Sequence, residues 1–450
     1  MRKTMLAVAL FAAVPTVARP QERPQLNWRE LGDTTLARLT AEALQANRDV
    51  QVAQARVRQA RAARTNAALD LVPTITAGGG LTRQRISNAS FGLDVPDRTL
   101  WDTELRASWE VDVFGRVRKN LRGQNALTDA ARHEVRETGR LITAELATAY
   151  FDLRGAQDQL EVARRNSANQ QRTLQLTRDR LEGGKGTAFD TERAQAQVSS
   201  TLALIPAFES RVAAAQHRIG VLVGRDPGTL DRELASPCEV DPEAPCSALE
   251  PALPEEVLTG PVDSLILARP DVLAAERRLA AETAFVGAAK ANYLPRFSLG
   301  GTAGFTSTQF DAIGNSGSSR FAIGPTVTWP LFDLGRVKAG VQAARALEAE
   351  ARARHEQTVL LAKEEIRTAV VAYGKARERL SRLAEAAAAS DRAAELARLR
   401  FRGGVADFLQ VLDAERSLLL AQDQLAQGRT DAVTALVAVY RAAGGGAGLE

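Results

Sequence analysis

The sequence predicts a mainly α-helical protein that also carries a membrane β-barrel. The expected form is a long α-helical coiled-coil barrel with four strands per protomer, internally duplicated. Three observations predict it. The chain of 450 residues is written twice, four segments alternate apolar and polar residues, and two very long helical patterns contain no proline.

The duplication is read from motifs. Trp109-Glu-Val-Asp-Val-Phe-Gly115-Arg116-Val117 returns as Trp329-Pro-Leu-Phe-Asp-Leu-Gly335-Arg336-Val337, an offset of 220. Asp49 and Pro73 match Asp271 and Pro295 at 222, and Asp190-Thr-Glu-Arg193 matches Asp413-Ala-Glu-Arg416 at 223. Offsets that drift so little mark one duplicated unit, and a period this long lies outside the solenoid range. The expected division is a first repeat over 19–224, a waist segment over 225–262, a second repeat over 263–442 and a tail over 443–450.

Residues 1–18 read as a secretory leader. Arg2 and Lys3 precede an apolar run from Met5 to Val14, then small residues at Thr16 and Ala18. No other run approaches the ~20 apolar residues of a transmembrane helix. A helix over about 35–71 should lead into a first strand pair at 72–113, and one over about 263–294 into a second at 295–333.

The strands are read from period-two alternation. Trp101, Leu105, Ala107, Trp109, Val111 and Val113 occupy one face, with Asp102, Glu104, Arg106, Ser108, Glu110 and Asp112 on the other. A weaker copy runs from Thr74 to Thr82. In the second half Phe297, Leu299, Ala303 and Phe305, then Phe321, Ile323, Val327 and Trp329, alternate with polar residues. Runs of about 9–13 residues suffice to cross a bilayer as tilted strands. Trp101, Trp109 and Trp329 are the expected interfacial girdle. A soluble sandwich hairpin would share the alternation, but not strands that feed directly into such long helices.

Long helices follow at 116–182 and 336–402, each roughly 100 Å at 1.5 Å per residue. Leu146, Leu153, Leu160, Ser167, Leu174 and Leu181 form a seven-residue track, repeated as Ile366, Tyr373, Leu380, Ala387, Ala394 and Phe401. A sustained heptad implies left-handed supercoiling against neighbouring helices. Gly183-Gly184 and Gly403-Gly404 end these helices in tight hairpins, and return helices are expected over 188–223 and 407–441.

Composition narrows the class. There are 58 basic and 54 acidic residues, interspersed, so the net charge of +4 reflects solvated helix faces and not a nucleic-acid surface. Cys238 and Cys246 lie close together in an acidic, proline-rich stretch. In an oxidising compartment they are expected to close a local disulfide, the alternative being two free thiols. His133, His217 and His355 lie on polar helix faces without metal-ligand spacing. Glu182-Gly-Gly-Lys-Gly-Thr187 lacks the order of a phosphate loop and follows a helix. No catalytic, cofactor or metal site is expected, and the chain is not expected to be an enzyme.

Four strands cannot close a barrel, and an open edge in lipid leaves unsatisfied backbone groups at several kcal/mol each. Copies must therefore pool their strands. A dimer would give eight strands with a filled interior; a trimer would give twelve with a lumen, which the charged face favours.

The mature chain resembles the outer-membrane efflux protein family, the TolC-like exit ducts, and within it the type that serves resistance–nodulation–division pumps. The resemblance rests on Ala107-Ser-Trp-Glu-Val-Asp-Val-Phe-Gly-Arg116, on Ala268-Arg-Pro-Asp-Val-Leu-Ala-Ala-Glu-Arg277 through Leu294-Pro295, on Arg402-Gly-Gly-Val-Ala-Asp-Phe-Leu-Gln-Val-Leu-Asp-Ala-Glu-Arg416-Ser417, and on Tyr440-Arg-Ala-Ala-Gly-Gly-Gly446. It implies a homotrimeric, twelve-stranded barrel in the Gram-negative outer membrane with a periplasmic helical tunnel. A periplasmic adaptor (membrane fusion) protein would join it to an inner-membrane transporter, and small molecules would be the cargo. Many relatives carry a cysteine just after the leader; none precedes Cys238 here, so acylation is not expected.

Leu409, Asp413 and Arg416 fall at spacings of four and three, on one helical face. The resemblance places that face at a periplasmic gate: Leu409 as apolar plug, Asp413 as a carboxylate ring, Arg416 as its partner. Asp190 and Arg193 are the expected complementary links. Gly183, Gly184, Lys185, Gly186 and Thr187, with Gly403, Gly404, Val405 and Ala406, are the expected adaptor contact. Two other readings are a duct for type I protein secretion and a periplasmic coiled-coil adaptor or scaffold.

Overall fold

The computed structural model describes residues 34–85, 96–236, 253–255, 257 and 262–445. The expected leader and the Cys238–Cys246 pair lie outside the described residues. In chain order the elements are α1 Thr34–Ala46, α2 Arg48–Leu69, β1 Thr74–Gln84, β2 Arg98–Val111, α3 Arg116–Glu182, α4 Ala188–Leu202 and α5 Leu204–Val223. The second half supplies α6 Val262–Leu267, α7 Pro270–Ala291, β3 Arg296–Ser307, β4 Ser319–Thr328, α8 Leu334–Arg402 and α9 Phe408–Ala442.

The strands form one antiparallel sheet in the order β1-β2-β3-β4, so the two hairpins meet through β2 and β3. The register stacks like on like. Ile75 opposes Ala107, Trp109 opposes Leu299, Val111 opposes Phe297, and Phe297 opposes Val327. One face of the sheet is therefore apolar, and it is bare: Ile75, Phe321 and Ile323 are 69, 84 and 75 % exposed. The other face carries Asp102, Glu104, Arg106, Thr302 and Thr306 among glycines. No helix among the described residues is long and apolar enough to cross a membrane.

The helices form a layered bundle beyond one end of the sheet. The heptad track on α3 is buried from Leu146 to Leu174 and emerges at Leu181, 38 % exposed, near the tip. Its copy on α8 buries Ile366, Tyr373, Ala387, Ala394 and Phe401. The core is not one mass but three patches strung along the rods. The first joins α1, α2, α3, α5 and α9, the second gathers α6 to α9, and the third packs α3, α4, α8 and α9 near the tips. Between patches the helices touch backbone to side chain. At Gly155 a Cβ would lie 2.0 Å from the Thr430 hydroxyl.

Several expected elements are interrupted or shifted. The helix anticipated over 35–71 breaks at Asn47, whose side-chain oxygen accepts from the Asp49 and Val50 amides while its amide donates to Leu222 O at 2.9 Å. Its counterpart over 263–294 breaks at Arg269, just before Pro270 at the first turn of α7. The return helix over 188–223 is two helices meeting at Ala203. Pro206 has no N–H for the Leu202 carbonyl, and its ring crowds that oxygen. Helix α8 begins at Leu334, not 336, because Asp333 rather than Gly335 supplies the N-cap position. Trp329 lies just beyond β4, not within it.

Candidate functional site

The strand-to-helix junctions show how the repeated motif works. Trp109 donates its indole N–H to Leu71 O at 2.9 Å, and Trp329 donates to Tyr293 O at 3.1 Å. Each indole thus ties a strand to the end of the helix that precedes its hairpin. Asp112 then accepts from the Val117 and Arg118 amides at the start of α3, and Glu110 holds Arg116 through two bonds of 2.9 and 2.7 Å. Burial pushes the Asp112 carboxyl up, but these donors outweigh it and hold it below the ordinary value. At the far end of the sheet Trp101 meets Phe310 edge-on at 4.8 Å. Trp101 and Trp109 share the apolar face, about 26 Å apart along the strand, which at a tilt of ~40° spans roughly 20 Å of height.

On the polar face one cluster crosses three strands. Arg320 of β4 reaches both oxygens of Asp102 at 2.8 Å and Glu104 Oε2 at 3.0 Å, while its Nε donates to the Thr306 hydroxyl at 2.8 Å. Thr306 in turn donates to Asp102 at 2.5 Å, and Arg106 holds the remaining Glu104 oxygen at 2.7 Å.

Midway along the helices Arg269, 3 % exposed, grips Asp271 through two bonds of 3.0 and 2.8 Å, Glu365 at 2.8 Å and the Ala442 carbonyl at 2.7 Å. Arg140, also buried, donates to the Arg441 carbonyl and pairs with Glu137. Two guanidiniums thus satisfy the last carbonyls of α9. Burial alone would raise the Asp271 and Glu365 carboxyls, yet Arg269 holds both below their usual range.

The two tips are built alike. Gly184 and Gly404 adopt left-handed φ of 69° and 75°. Lys185 N donates to Arg180 O and Val405 N to Arg400 O, closing each α-helix in a Schellman turn. Thr187 and Asp407 then cap the return helices, accepting from the amides of Asp190 and Gln410. Gly183, Lys185, Gly403 and Val405 are exposed, with Gly186 and Ala406 half-buried.

Leu409, Asp413 and Arg416 lie exposed on one face of α9, opposite Phe408, Val411, Glu415 and Leu418, which face the chain's own core. Among the described residues neither Asp413 nor Arg416 has a hydrogen-bond or ion-pair partner. Asp190 is engaged locally, accepting from the Thr187 hydroxyl at 2.7 Å, and Arg193 stacks over Phe189 at 5.2 Å. The structure does not bring Asp190 or Arg193 to Asp413 or Arg416 within one chain. Near the tips the structure buries Glu415 instead, 3 % exposed, which accepts from Arg398 at 2.8 Å and Thr173 at 2.9 Å. Sequence reasoning passed over Glu415, Arg320 and Arg269; Glu415 is legible afterwards as the one residue of the Asp-Ala-Glu-Arg motif in phase with Val411 and Leu418.

The histidines are no site. His217 is exposed, while His133 is half-buried, not freely solvated, with Nδ1 shielded and unbonded among the described residues. Burial, then Arg136 and Arg277, lowers its pKa. No group of three potential metal ligands occurs among the described residues.

A match to the family described as outer membrane efflux protein covers residues 39–225 and 262–445. The toluene efflux pump outer membrane protein TtgF of Pseudomonas putida is 30% identical over 424 residues, covering 94% of this chain and 86% of its own. Outer membrane protein OprJ of Pseudomonas aeruginosa is 30% identical over 442 residues, with coverage of 94% and 86%. The solved outer-membrane channel OprN superposes with a TM-score of 0.85 at 38% identity, covering 97% of this chain and 96% of that one.

Proposed function

This chain belongs to the outer membrane efflux protein family, and from that premise we propose that three copies assemble into one pore, gated at its helical tips. It is an outer-membrane efflux channel with a periplasmic helical domain, the outer component of a tripartite pump, and not an enzyme. The observation that supports assembly is the sheet itself, and its charged face, which suits a water-filled lumen, favours three copies over two. Strands β1 and β4 are its two edges, each with one partner only. In hydrocarbon an unpaired edge costs several kcal/mol per backbone group, so β4 of one copy must join β1 of the next. Twelve strands then enclose a lumen lined by the polar face, with the bare apolar face toward lipid.

Helix α8 supports the same reading. It leaves Leu347, Leu360, Leu361 and Val371 more than half-exposed, an apolar flank for a neighbouring subunit to cover. The gate is assigned to Leu409, Asp413 and Arg416, which project from the chain's own packing, the two charged side chains without polar partners among the described residues. Three Asp413 carboxylates round one axis repel unless each meets a cation, which Arg416 of a neighbour supplies. The exposed Gly-rich tips suit docking of an adaptor's helical hairpin, which would pull the gate apart and connect the duct to a resistance–nodulation–division transporter. The cargo class proposed is small molecules, in line with the printed function of the toluene pump relative. The test is conductance in planar bilayers: Asp413→Ala plus Arg416→Ala should hold the channel open, and unchanged conductance would defeat the gate assignment.

A further inference from the structure

We propose that Arg320 sets the charge selectivity of the extracellular half of the barrel by neutralising Asp102 and Glu104. The inference rests on the pore reading and deepens it. The cluster lies at the end of the sheet remote from the helices, on the face that becomes the lumen. It contains two carboxylates and two guanidiniums, so it is formally neutral.

The fold is arranged to bring this about. Asp102 and Glu104 are two apart on β2 and so project side by side from one face. Left alone they would repel each other and line the lumen with negative charge. Arg320 stands two strands away, and the residue directly between Glu104 and Arg320 in the ladder is Gly304. A Cβ at 304 would fall 1.9 Å from the Thr103 carbonyl oxygen and 2.8 Å from the Glu104 Cα. The glycine thus lets β3 lie tight against the β2 backbone at the point where the arginine crosses between strands. The Thr306 hydroxyl accepts from the guanidinium Nε–H and donates to Asp102. Every carboxylate oxygen in the cluster is thereby occupied, while the side chains of Arg320 and Asp102 stay 38 and 37 % exposed to the lumen. The belt is wet enough to act on a passing ion and compensated enough to repel neither sign.

The experiment is reversal potential in planar bilayers under a KCl gradient at low salt, where a lumen charge acts over a longer screening length. All arms carry Asp413→Ala and Arg416→Ala, so that the gate is open and no charge at the tips dominates. Arg320→Gln leaves one uncompensated carboxylate per subunit. The cation-to-anion permeability ratio should rise by about threefold, as expected for charges roughly one screening length from the axis. Asp102→Asn with Glu104→Gln should shift it the opposite way, Arg320→Lys should keep the parent value, and the triple variant should return toward it. Heat-modifiable migration of each extracted trimer checks assembly, and if Arg320→Gln fails to assemble, the carboxylate pair carries the test. Reversal potentials that stay at the parent value in Arg320→Gln, or in the carboxylate pair, overturn the assignment. No pores from any arm would instead sink the channel reading.

Discussion

Arg269→Ala should destabilise the middle of the helical domain by about 3 kcal/mol, the lower end of the cost of breaking a buried ion pair. The lower end applies because Asp271 and Glu365 keep 24 and 28 % side-chain exposure and can partly rehydrate, and Arg441 still holds Glu365 at 3.0 Å. The variant also orphans the Ala442 carbonyl at the end of α9. A pH signature separates this from loss of packing. Both carboxyls sit below their ordinary values in the folded state, against the pull of burial and because of Arg269. A depressed carboxyl contributes stability fully above its unfolded pKa, ~4, and loses that contribution as pH falls through its lower folded value. The gap between parent and variant in guanidinium chloride unfolding, followed by far-UV circular dichroism, should therefore be widest near pH 7 and narrow below about pH 4. A gap that stays constant down to pH 3, or one under about 1 kcal/mol at pH 7, would refute the reasoning.

Two further contacts, Glu415 with Arg398 and Gly155 with Thr430, test the packing near the tips and along the rods. Glu415→Ala and Arg398→Ala should each cost about 2 kcal/mol and the pair little more than either, in a double-mutant cycle; additivity would show that the buried bond carries nothing. Glu415→Gln should cost only about 1 kcal/mol, since it keeps a hydrogen-bonding oxygen in place. Gly155→Ala should destabilise by about 2 kcal/mol because its Cβ has no room beside Thr430, and Thr430→Ala in the same chain should recover most of the loss in thermal unfolding.

What the sequence made legible follows from period. Alternation over Trp101–Val111 reads as a strand because both faces are filled consistently, and the seven-residue track on α3 reads as a buried seam because burial follows it for four turns of the repeat. The breaks were harder to see because each depends on one residue. The Asn47 oxygen caps α2 locally, but its amide is satisfied by Leu222, 175 residues away in the chain. Pro206 was visible but sits in a pattern otherwise helical enough to hide it. Arg320 and Arg269 gain meaning from partners on other strands and helices, and no local spacing points to Asp102 from Arg320, 218 residues on.

The duplicated motif near the tips carries a subtler lesson about register. Letters align Asp190 with Asp413 at 223, but the hydrogen bonds align the repeats at 220. Arg178 donates to Gln195 Oε1 at 2.9 Å, and Arg398 donates to Glu415 Oε1 at 2.8 Å, both pairs displaced by 220 from one to the other. The caps agree, since Thr187 and Asp407 begin the return helices at the same offset. In that frame Asp190 stands opposite Gln410, in the first turn, where its carboxylate is occupied by Thr187 and favoured by the helix N-terminus. Asp413 stands one turn deeper, past the reach of the cap and facing away from its own chain. The two aspartates therefore share letters without sharing an environment. Asp190→Ala alone should accordingly cost the return helix only about 0.5 kcal/mol at its N-terminus while leaving conductance closed.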